Sequence, residues 1–446
     1  MSHYKPYPAH KDSGVEWIGS VPAHWEVKPI CRVASCNDDS LPENVPPDQL
    51  LRYVDIASVN HTDGITDVAE IRFADAPSRA RRQAKAGDVV ISTVRTYLKA
   101  VAAVTDTHAN CTYSTGFAVL RPRPSEVEPA FLKWLTLNDL VIQAIEAHSE
   151  GLSYPAINAT ELVKLKAVVP PRTEQSAITA ALDRETARID ALIAKKTRFI
   201  ELLKEKRQAL ITHAVTKGLD PNVKMKDSGV EWIGEAPEHW RISPIKSLAT
   251  EPSTLFVDGD WIESHNLSPA GIRYITTGNV GEGGYKEQGN GFITEATFHE
   301  LRCTEVLPGD ILISRLNPPI GRACIVPELG LRIVTSVDNV IFRPSAEFDP
   351  QFIVFRCSAS DYFHELSLLG SGATMQRVSR TDLGNVRIAW PPLNEQIEIR
   401  RYLQEETAQI DSLLDLSRRS VDLLKERRSA FITAAVTGQI DLREVA

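Results

Sequence analysis

Side chains that can contact nucleic acid recur in polar stretches in both halves of this 446-residue chain. Arginine, asparagine and glutamine hydrogen-bond base edges in pairs, and lysine and arginine neutralise phosphates. Any one of them alone would be an ordinary solvated residue. Together they form two sets of candidate DNA-contacting residues: Arg79, Arg81, Arg82, Lys85, Arg95, Tyr97, Lys99, Ser153, Tyr154 and Asn158 in the first half, and Arg315, Asn317, Arg322, Ser371, Thr374, Gln376 and Arg377 in the second.

Patterns typical of catalysis are weak by comparison. The run 317–320, Asn-Pro-Pro-Ile, resembles the Asn/Asp-Pro-Pro-aromatic turn with which amino-methyltransferases hold a target amino group, but the aromatic residue is missing. Glycines 281, 283 and 284 lack the Lys-Ser/Thr ending of a phosphate loop, so they indicate a loop. No Gly-rich turn suited to S-adenosylmethionine is visible. We therefore expect no catalytic residue and no cofactor bound by this chain.

Histidines and cysteines do not form a recognisable metal site. His24 and His239 each lie between a proline and a tryptophan, and neither has clustered partners in sequence, so we expect both to pack beside Trp25 and Trp240. The six cysteines are scattered, with only Cys31 and Cys36 close together. This spacing favours reduced packing residues in a cytoplasmic protein, and no metal ligand is expected.

Charge and hydropathy narrow the class of protein. No apolar run approaches the roughly 20 residues of a membrane span, and the first residues lack the apolar core of a signal peptide. Net charge is −8 overall, −3 over residues 1–168, +4 over 172–217 and −8 over 227–391. Net sign does not forbid DNA binding, because local placement sets the potential. It does suggest that another chain supplies much of any phosphate neutralisation.

The chain contains one module twice. Residues 11–25 and 226–240 are identical at twelve of fifteen positions. Shorter matches follow, and they are short apolar or β-branched runs bounded by turn residues, which predict strands. The matched runs are 52–54 with 273–275, 87–92 with 309–314, and 117–122 with 339–344. Two matched scaffolds with different polar loops suggest two different recognition surfaces.

A long helical pattern follows each strand-rich module. Residues from Thr173 to about Val215 and from Asn394 to about Val436 contain no Pro or Gly, and their apolar residues recur at spacings of three and four. Each pattern follows a Pro-Pro pair, which suits a helix start. A helix of about 43 residues spans roughly 65 Å, and its apolar stripe must be buried. We expect the two helices to pack antiparallel, with Ala194 and Asp415 near their facing midpoints and the C-terminus beside the first module.

With these features, the chain resembles the specificity subunit of type I DNA restriction-modification systems. The resemblance lies in the repeated Ser-Gly-Val-Glu-Trp-Ile-Gly-x-x-Pro-x-His-Trp, in Gly-Asp-Ile-Leu-Ile-Ser, in Pro-Pro-x-x-Glu-Gln, and in the helical Ile-Asp and Leu-Leu-Lys-Glu-Lys/Arg-Arg. It implies an α+β fold with two strand-rich mixed α/β target-recognition domains, a pseudo-twofold repeat and two long antiparallel helices forming a coiled coil. The expected segments are domain 1 at 1–169, helix 1 at 170–218, domain 2 at 219–390, helix 2 at 391–438 and a tail at 439–446.

The resemblance also implies a function. Each domain is expected to read one half of a split site in double-stranded DNA. The resemblance further implies that the chain carries two modification subunits, which methylate adenine with S-adenosylmethionine, and through them the restriction subunits. The first module departs from the family's Arg-x-Gly-x-x-Gly loop, because it has Arg-Thr-Tyr-Leu-Lys-Ala at 95–100. Two alternatives are a stand-alone adenine methyltransferase, which needs a cofactor pocket, and a coiled-coil adaptor, which does not need two domains with different polar loops.

Overall fold

The computed structural model describes residues 4–251, 253–372 and 375–443. The chain divides into two compact units. The first unit contains the described residues up to Thr197 and those from Arg419 onward, and the second contains Arg198–Arg418. The predicted fold class is confirmed, because strand-rich mixed sheets alternate with a central and a C-terminal long helix.

The first unit is built on one antiparallel and one mixed sheet. The antiparallel sheet has, in spatial order, Val101–Ala103, Val89–Ser92, Phe117–Pro122 and Ala34–Cys36. The mixed sheet has Asp39–Ser40, Ala80–Gln83, Thr112–Ser114, Leu50–Val54 and Ala69–Arg72. Paired strands outside these sheets are His10–Asp12 with Ser20–Pro22, Glu26–Pro29 with Lys166–Val169, and Val59–Asn60 with Gly64–Ile65. Short helices are Ile30–Val33, Pro129–Thr136, Asp139–Ala147 and Ala159–Leu162.

The second unit repeats this plan. Its antiparallel sheet has Leu255–Asp258, Asn339–Arg343, Ile311–Ser314 and Ala323–Ile325, and its mixed sheet has Leu267–Ser268, Phe292–Ile293, Ile272–Ile275 and Ile333–Thr335. Paired strands are Met225–Asp227 with Glu235–Pro237 and Arg241–Pro244 with Arg387–Trp390. Short helices are Glu295–Leu301, Pro350–Arg356, Ser360–Leu369 and Arg380–Asn385.

The repeated Gly-Asp and Arg-Pro runs have a shared structural reason. In the first unit, the nearly buried Asp88 accepts hydrogen bonds from the Arg121 guanidinium, with 2.8 Å between Asp88 Oδ2 and Arg121 Nη2. In the second unit, Asp310 accepts from Arg343 at 2.7 Å. A buried carboxylate needs such a partner. These two ion pairs therefore lock adjacent strands at equivalent places.

The first long helix is Arg172–Lys217 and the second is Leu393–Val436. In the second unit, Arg207 donates to Asp411 at 2.9 Å, and Gly218 lies against Glu395 at the start of the second helix. In the first unit, Asp190 pairs with Arg428 at 2.8 Å. The helix segments are therefore antiparallel, as predicted.

The register of the helices differs from the expected one. Ala194 lies four residues after Asp190 and is thus matched with Leu424, which is four residues before Arg428. By the same reasoning, Asp415 is matched with Leu203. The expectation that Ala194 and Asp415 face each other was wrong. An apolar stripe fixes which helix face is buried, whereas these ion pairs show which turns are opposite each other.

Each unit buries the start of one long helix and the end of the other. The first core contains Ile178 and Leu182 from the first helix together with Phe431 and Val436 from the second. The second core contains Ile211 and Val215 together with Ile399 and Leu403. The chain after the second helix stays on the first unit, where the Asp441 N–H donates to the Lys5 carbonyl at 2.8 Å. This confirms that the C-terminal region lies beside the first module.

The repeated His-Trp and Glu-Gln pairs contact each other. Glu174, the third residue of the first helix, accepts from Trp25 Nε1 at 2.9 Å and from the Tyr7 hydroxyl at 3.0 Å, while its other oxygen lies 2.7 Å from His24 Nε2. Burial and the adjacent carboxylate raise the pKa of Tyr7, which therefore stays protonated and donates. Glu395 contacts His239 and Trp240 in the same way. The expected packing of each histidine beside its tryptophan is also confirmed.

This contact predicts a large effect on stability. Glu174→Ala removes the shared acceptor of two buried donors, and each donor left unpaired costs about 1–3 kcal/mol. We expect the free energy of unfolding to fall by about 2–4 kcal/mol, measured by calorimetry. The matched control is Glu161→Ala, which removes an exposed ion pair with Lys164 and should cost at most about 1 kcal/mol. Equal melting of both variants and the wild type would contradict the structural role of Glu174.

The six cysteines are all free. Four of them, Cys111, Cys303, Cys324 and Cys357, are buried packing residues, as expected. Cys31 is exposed, so the packing expectation was wrong there, because the short helix Ile30–Val33 buries Ile30 and Val33 and turns Cys31 outward. Within the described residues, no helix is both long and apolar enough to cross a membrane.

Candidate nucleic-acid interface

Two segments of the first unit come together at the end of the strand Val89–Ser92. We call residues 93–99 and 149–158 the first loop pair. The Ile157 N–H donates to the Thr93 carbonyl at 2.8 Å, and the Thr96 hydroxyl donates to the Ser149 hydroxyl at 2.9 Å. The structure thus brings together six sequence-predicted residues: Arg95, Tyr97, Lys99, Ser153, Tyr154 and Asn158.

The first loop pair presents basic and aromatic side chains on a strained backbone. The Arg95 guanidinium lies over the Tyr154 ring, 4.9 Å from its centroid. Arg95 and Lys99 both adopt left-handed backbone conformations, with φ of 50° and 51°. Such conformations are unfavourable for side chains with a Cβ and cluster at functional sites. The strain therefore makes this loop a candidate functional site.

The second unit contains the equivalent arrangement. We call residues 315–322, 371–372 and 375–377 the second loop pair. The Asn317 N–H donates to the Gln376 carbonyl at 3.0 Å, and Ser371 and Arg377 exchange backbone hydrogen bonds. This pair brings together Arg315, Asn317, Arg322, Ser371, Gln376 and Arg377. Thr374 lies outside the described residues.

Two of these arginines face inward. Arg315 is buried and donates to the carbonyls of Val337 and Val378, and it also pairs with Asp258 at 3.0 Å. Arg322 donates to the carbonyls of Val280, Asn317 and other residues of the loop. Burial lowers the pKa of both guanidinium groups. The Nη donors of Arg315 and the donors of Arg322 thus hold the loop in shape, so the placement of these two residues does not support the predicted base contact.

The side chains of Asn317 and Gln376 are exposed, and Arg377 is partly exposed. Arg377 pairs with Asp338, at 2.9 Å between Nη2 and Oδ1. Amide and guanidinium groups of this kind can form paired hydrogen bonds with bases. They are the candidates for direct readout in this loop pair.

The strand register aligns the two loops residue by residue and agrees with the sequence matches. Ser92 pairs with Phe117, and Ser314 pairs with Asn339, so residues 222 apart are equivalent. Arg95 is therefore equivalent to Asn317 and Lys99 to Gly321, and each of these positions has positive φ. By the same register, Arg315 corresponds to Thr93. The first loop thus keeps the backbone shape of the second without its glycine.

The remaining basic cluster lies elsewhere, in and beside the strand Ala80–Gln83 of the mixed sheet. Arg79 pairs with Asp55 at 2.8 Å, Arg81 covers the Phe73 ring, and Lys85 pairs with Asp39 at 3.3 Å. Arg82 is half-buried on the same strand. These four residues therefore belong to or flank the mixed sheet, whereas the first loop pair follows a strand of the antiparallel sheet.

Sequence reasoning missed several residues that lie in the two loop pairs or contact them. Asp338 and Asp258 hold the arginines of the second loop pair, and acidic residues are not expected in a DNA-contacting loop. Leu98 and Leu152 are exposed in the first loop pair. The sequence prediction rested on polar and aromatic side chains, which cannot show where aliphatic side chains are exposed. Within the described residues there is no group of three or more His, Cys, Asp or Glu side chains placed to hold a metal ion.

Comparisons with known proteins agree with this architecture. No family model matches the chain. It is 24% identical over 435 residues to a protein described as the MjaX type I restriction enzyme specificity subunit of Methanocaldococcus jannaschii, covering 96% of each chain. It is also 24% identical to the EcoKI specificity subunit of Escherichia coli K12 over 308 residues, or 68% of this chain and 63% of the relative. The resemblance to specificity subunits noted in the sequence is thus confirmed.

Solved structures share the fold. One is a chain from a structure describing complex assembly and conformational transition of the type I R-M system, with a TM-score of 0.75, 22% identity and coverage of 94% of this chain and 99% of that one. Another is the HsdS subunit of Thermoanaerobacter tengcongensis, with a TM-score of 0.54, 22% identity and coverage of 94% and 98%.

Proposed function

We propose that this chain is the DNA sequence-specificity subunit of a type I restriction-modification complex. Its first unit reads one half of a bipartite, asymmetric site in double-stranded DNA, and its second unit reads the other half. The observation that carries the proposal is the pair of equivalent loop pairs, which share hydrogen-bonding geometry and differ in almost every exposed side chain. Equal scaffolds with unequal loops suit a reader of two different half-sites.

The chain acts without catalysing a reaction itself. It carries two modification subunits, which methylate adenine with S-adenosylmethionine, and through them the restriction subunits. The repeat supports two docking positions, because one partner surface occurs twice in the chain. The net charges of the two modules, −3 and −8, also favour partner subunits. DNA binding requires basic side chains that neutralise phosphates, and partner subunits can supply them. Free cysteines suit the reducing cytoplasm, where we place the complex.

If methylation belongs to the partner subunits, this chain alone should not bind S-adenosylmethionine. The purified chain alone should neither bind S-adenosylmethionine nor methylate DNA, because the residues near its loops include no cofactor motif. Isothermal titration of S-adenosylmethionine into the chain should give no heat of binding. The methyltransferase subunit, titrated in parallel, is the positive control. Stoichiometric micromolar binding to this chain alone would favour the stand-alone methyltransferase instead.

A reconstitution tests the reading role. The methyltransferase subunits should methylate specific DNA only when this chain is present, and the methylated motif should have two parts. The coiled-coil adaptor alternative predicts assembly with partners but no dependence of sequence choice on this chain. Nothing in the two loop pairs favours that alternative over the DNA-reading role.

A further inference from the structure

The first loop pair exposes large apolar side chains as a group. Leu152 is fully exposed, Tyr154 is 64% exposed, Tyr97 is 52% exposed and Leu98 is 43% exposed. Single exposed leucines are common on protein surfaces, whereas a cluster marks an interaction site. We call these four side chains the apolar cluster.

One member of the apolar cluster, Leu98, can be compared with its equivalent in the second unit, and only Leu98 is exposed. Leu98 is equivalent to Ile320 of the second unit by the strand register. Ile320 is buried and packs toward Gly370, at the end of the helix Ser360–Leu369. Leu98 of the first unit, in contrast, is 43% exposed. The same position is thus core in one unit and surface in the other.

One cation, Arg95, contacts the apolar cluster, and a second, Lys99, follows Leu98 in the chain. Arg95 stacks on Tyr154, and neither Arg95 nor Lys99 forms an ion pair with a residue that the structure describes. Glu150 supplies the acidic side chain of this loop pair, which therefore has a net charge of +1 (two basic, one acidic) against −3 for residues 1–168. Apolar side chains flanked by unpaired cations are complementary to DNA, because the faces of its bases are apolar and its phosphates are anionic.

We propose that the apolar cluster inserts into a base step of double-stranded DNA, so that the first unit reads its half-site partly through deformation of the duplex. Apolar side chains inserted between base pairs unstack them and kink the helix, and aromatic rings stack on the exposed bases. The energy of this deformation depends on the step, which makes it a source of specificity. Arg95 and Lys99 then hold the flanking phosphates. This inference rests on the proposed function.

The test uses 2-aminopurine, a fluorescent adenine analogue that brightens when it is unstacked. It is placed at successive positions of the first half-site in duplex DNA, bound by the complex of this chain with its methyltransferase subunits. The adenine that is methylated stays unsubstituted, because methyltransferases extrude their target base. We expect one non-target step in the first half-site to brighten on binding.

Variants connect that signal to the apolar cluster. Leu152→Ser with Tyr154→Ser should abolish the brightening and weaken binding of the cognate duplex about tenfold, which corresponds to about 1.4 kcal/mol. Tyr97→Ser is an independent second variant with the same expected direction. The control is Leu50→Ser, which removes a leucine that is 66% exposed but lies outside the loop pair, and it should change neither reading.

Three outcomes would overturn the inference. They are no brightening with the wild-type chain, brightening that survives both cluster variants, and variants that lose the methyltransferase subunits, which would make the apolar cluster a protein-docking surface. A different result would show that the proposed function itself is wrong. In that case the wild-type complex would show no preference for any bipartite duplex at all.

Discussion

Replacement of residues 26–166 with the equivalent span of a homologue is expected to change one half of the methylated motif and to leave the other half unchanged. This span contains the first loop pair and both main sheets of the first unit. Its two ends lie on neighbouring strands, because Glu26–Pro29 pairs with Lys166–Val169 in antiparallel register. A graft therefore begins and ends at one place in the unit and leaves the long helices intact. Methylome sequencing reads the result directly.

The matched control is the same exchange in the second unit. Residues 241–387 begin and end on the paired strands Arg241–Pro244 and Arg387–Trp390. This exchange should change the other half of the motif and preserve the first. A change of both halves by either single exchange would contradict independent reading by two units.

Lengthening both long helices by four residues is expected to add one or two base pairs between two unchanged half-sites. The register given by Asp190 with Arg428 and by Arg207 with Asp411 places matched insertions after Arg198 and after Arg419. Four residues add about 6 Å at 1.5 Å each and overshoot one turn by roughly 40°. One base pair adds about 3.4 Å. It also turns the duplex by about 34°.

A matched insertion of two residues is the control for rotation. It adds only about 3 Å but turns each helix by roughly 200°, which points the far reading surface away from its groove. We expect specific methylation to fall below detection in this variant. Methylome sequencing compares the two insertions. An unchanged spacer in an active four-residue variant would show that the helices do not set the distance.

The repeated scaffold could be predicted from the sequence because its signals are local and occur twice. The Pro-Pro pairs predicted the starts of both long helices to within a few residues. The runs 87–92 and 309–314 predicted strands, and the structure adds the ion pairs Asp88–Arg121 and Asp310–Arg343. Those pairs link residues 33 positions apart, which a local pattern cannot show.

The details of the loops could not be predicted in the same way. Arg315 and Arg322 have the composition of base-contacting residues, yet burial and carbonyl acceptors direct them inward. Leu98 is exposed, whereas the equivalent Ile320 is buried and lies against Gly370, a residue 50 positions further along the chain. The register of the long helices depends on ion pairs between residues more than 200 positions apart. Tertiary contacts decide all three, and only the three-dimensional structure contains them.

Methylome sequencing of cells that express this chain with its methyltransferase subunits tests the central claim most directly. We expect a single methylated motif with two different half-sites and a fixed run of unspecified bases between them. We also expect the motif to disappear when this chain is omitted and the methyltransferase subunits remain. Methylation that persists without this chain, or a contiguous motif that it does not alter, would contradict the claim that its two units read the DNA.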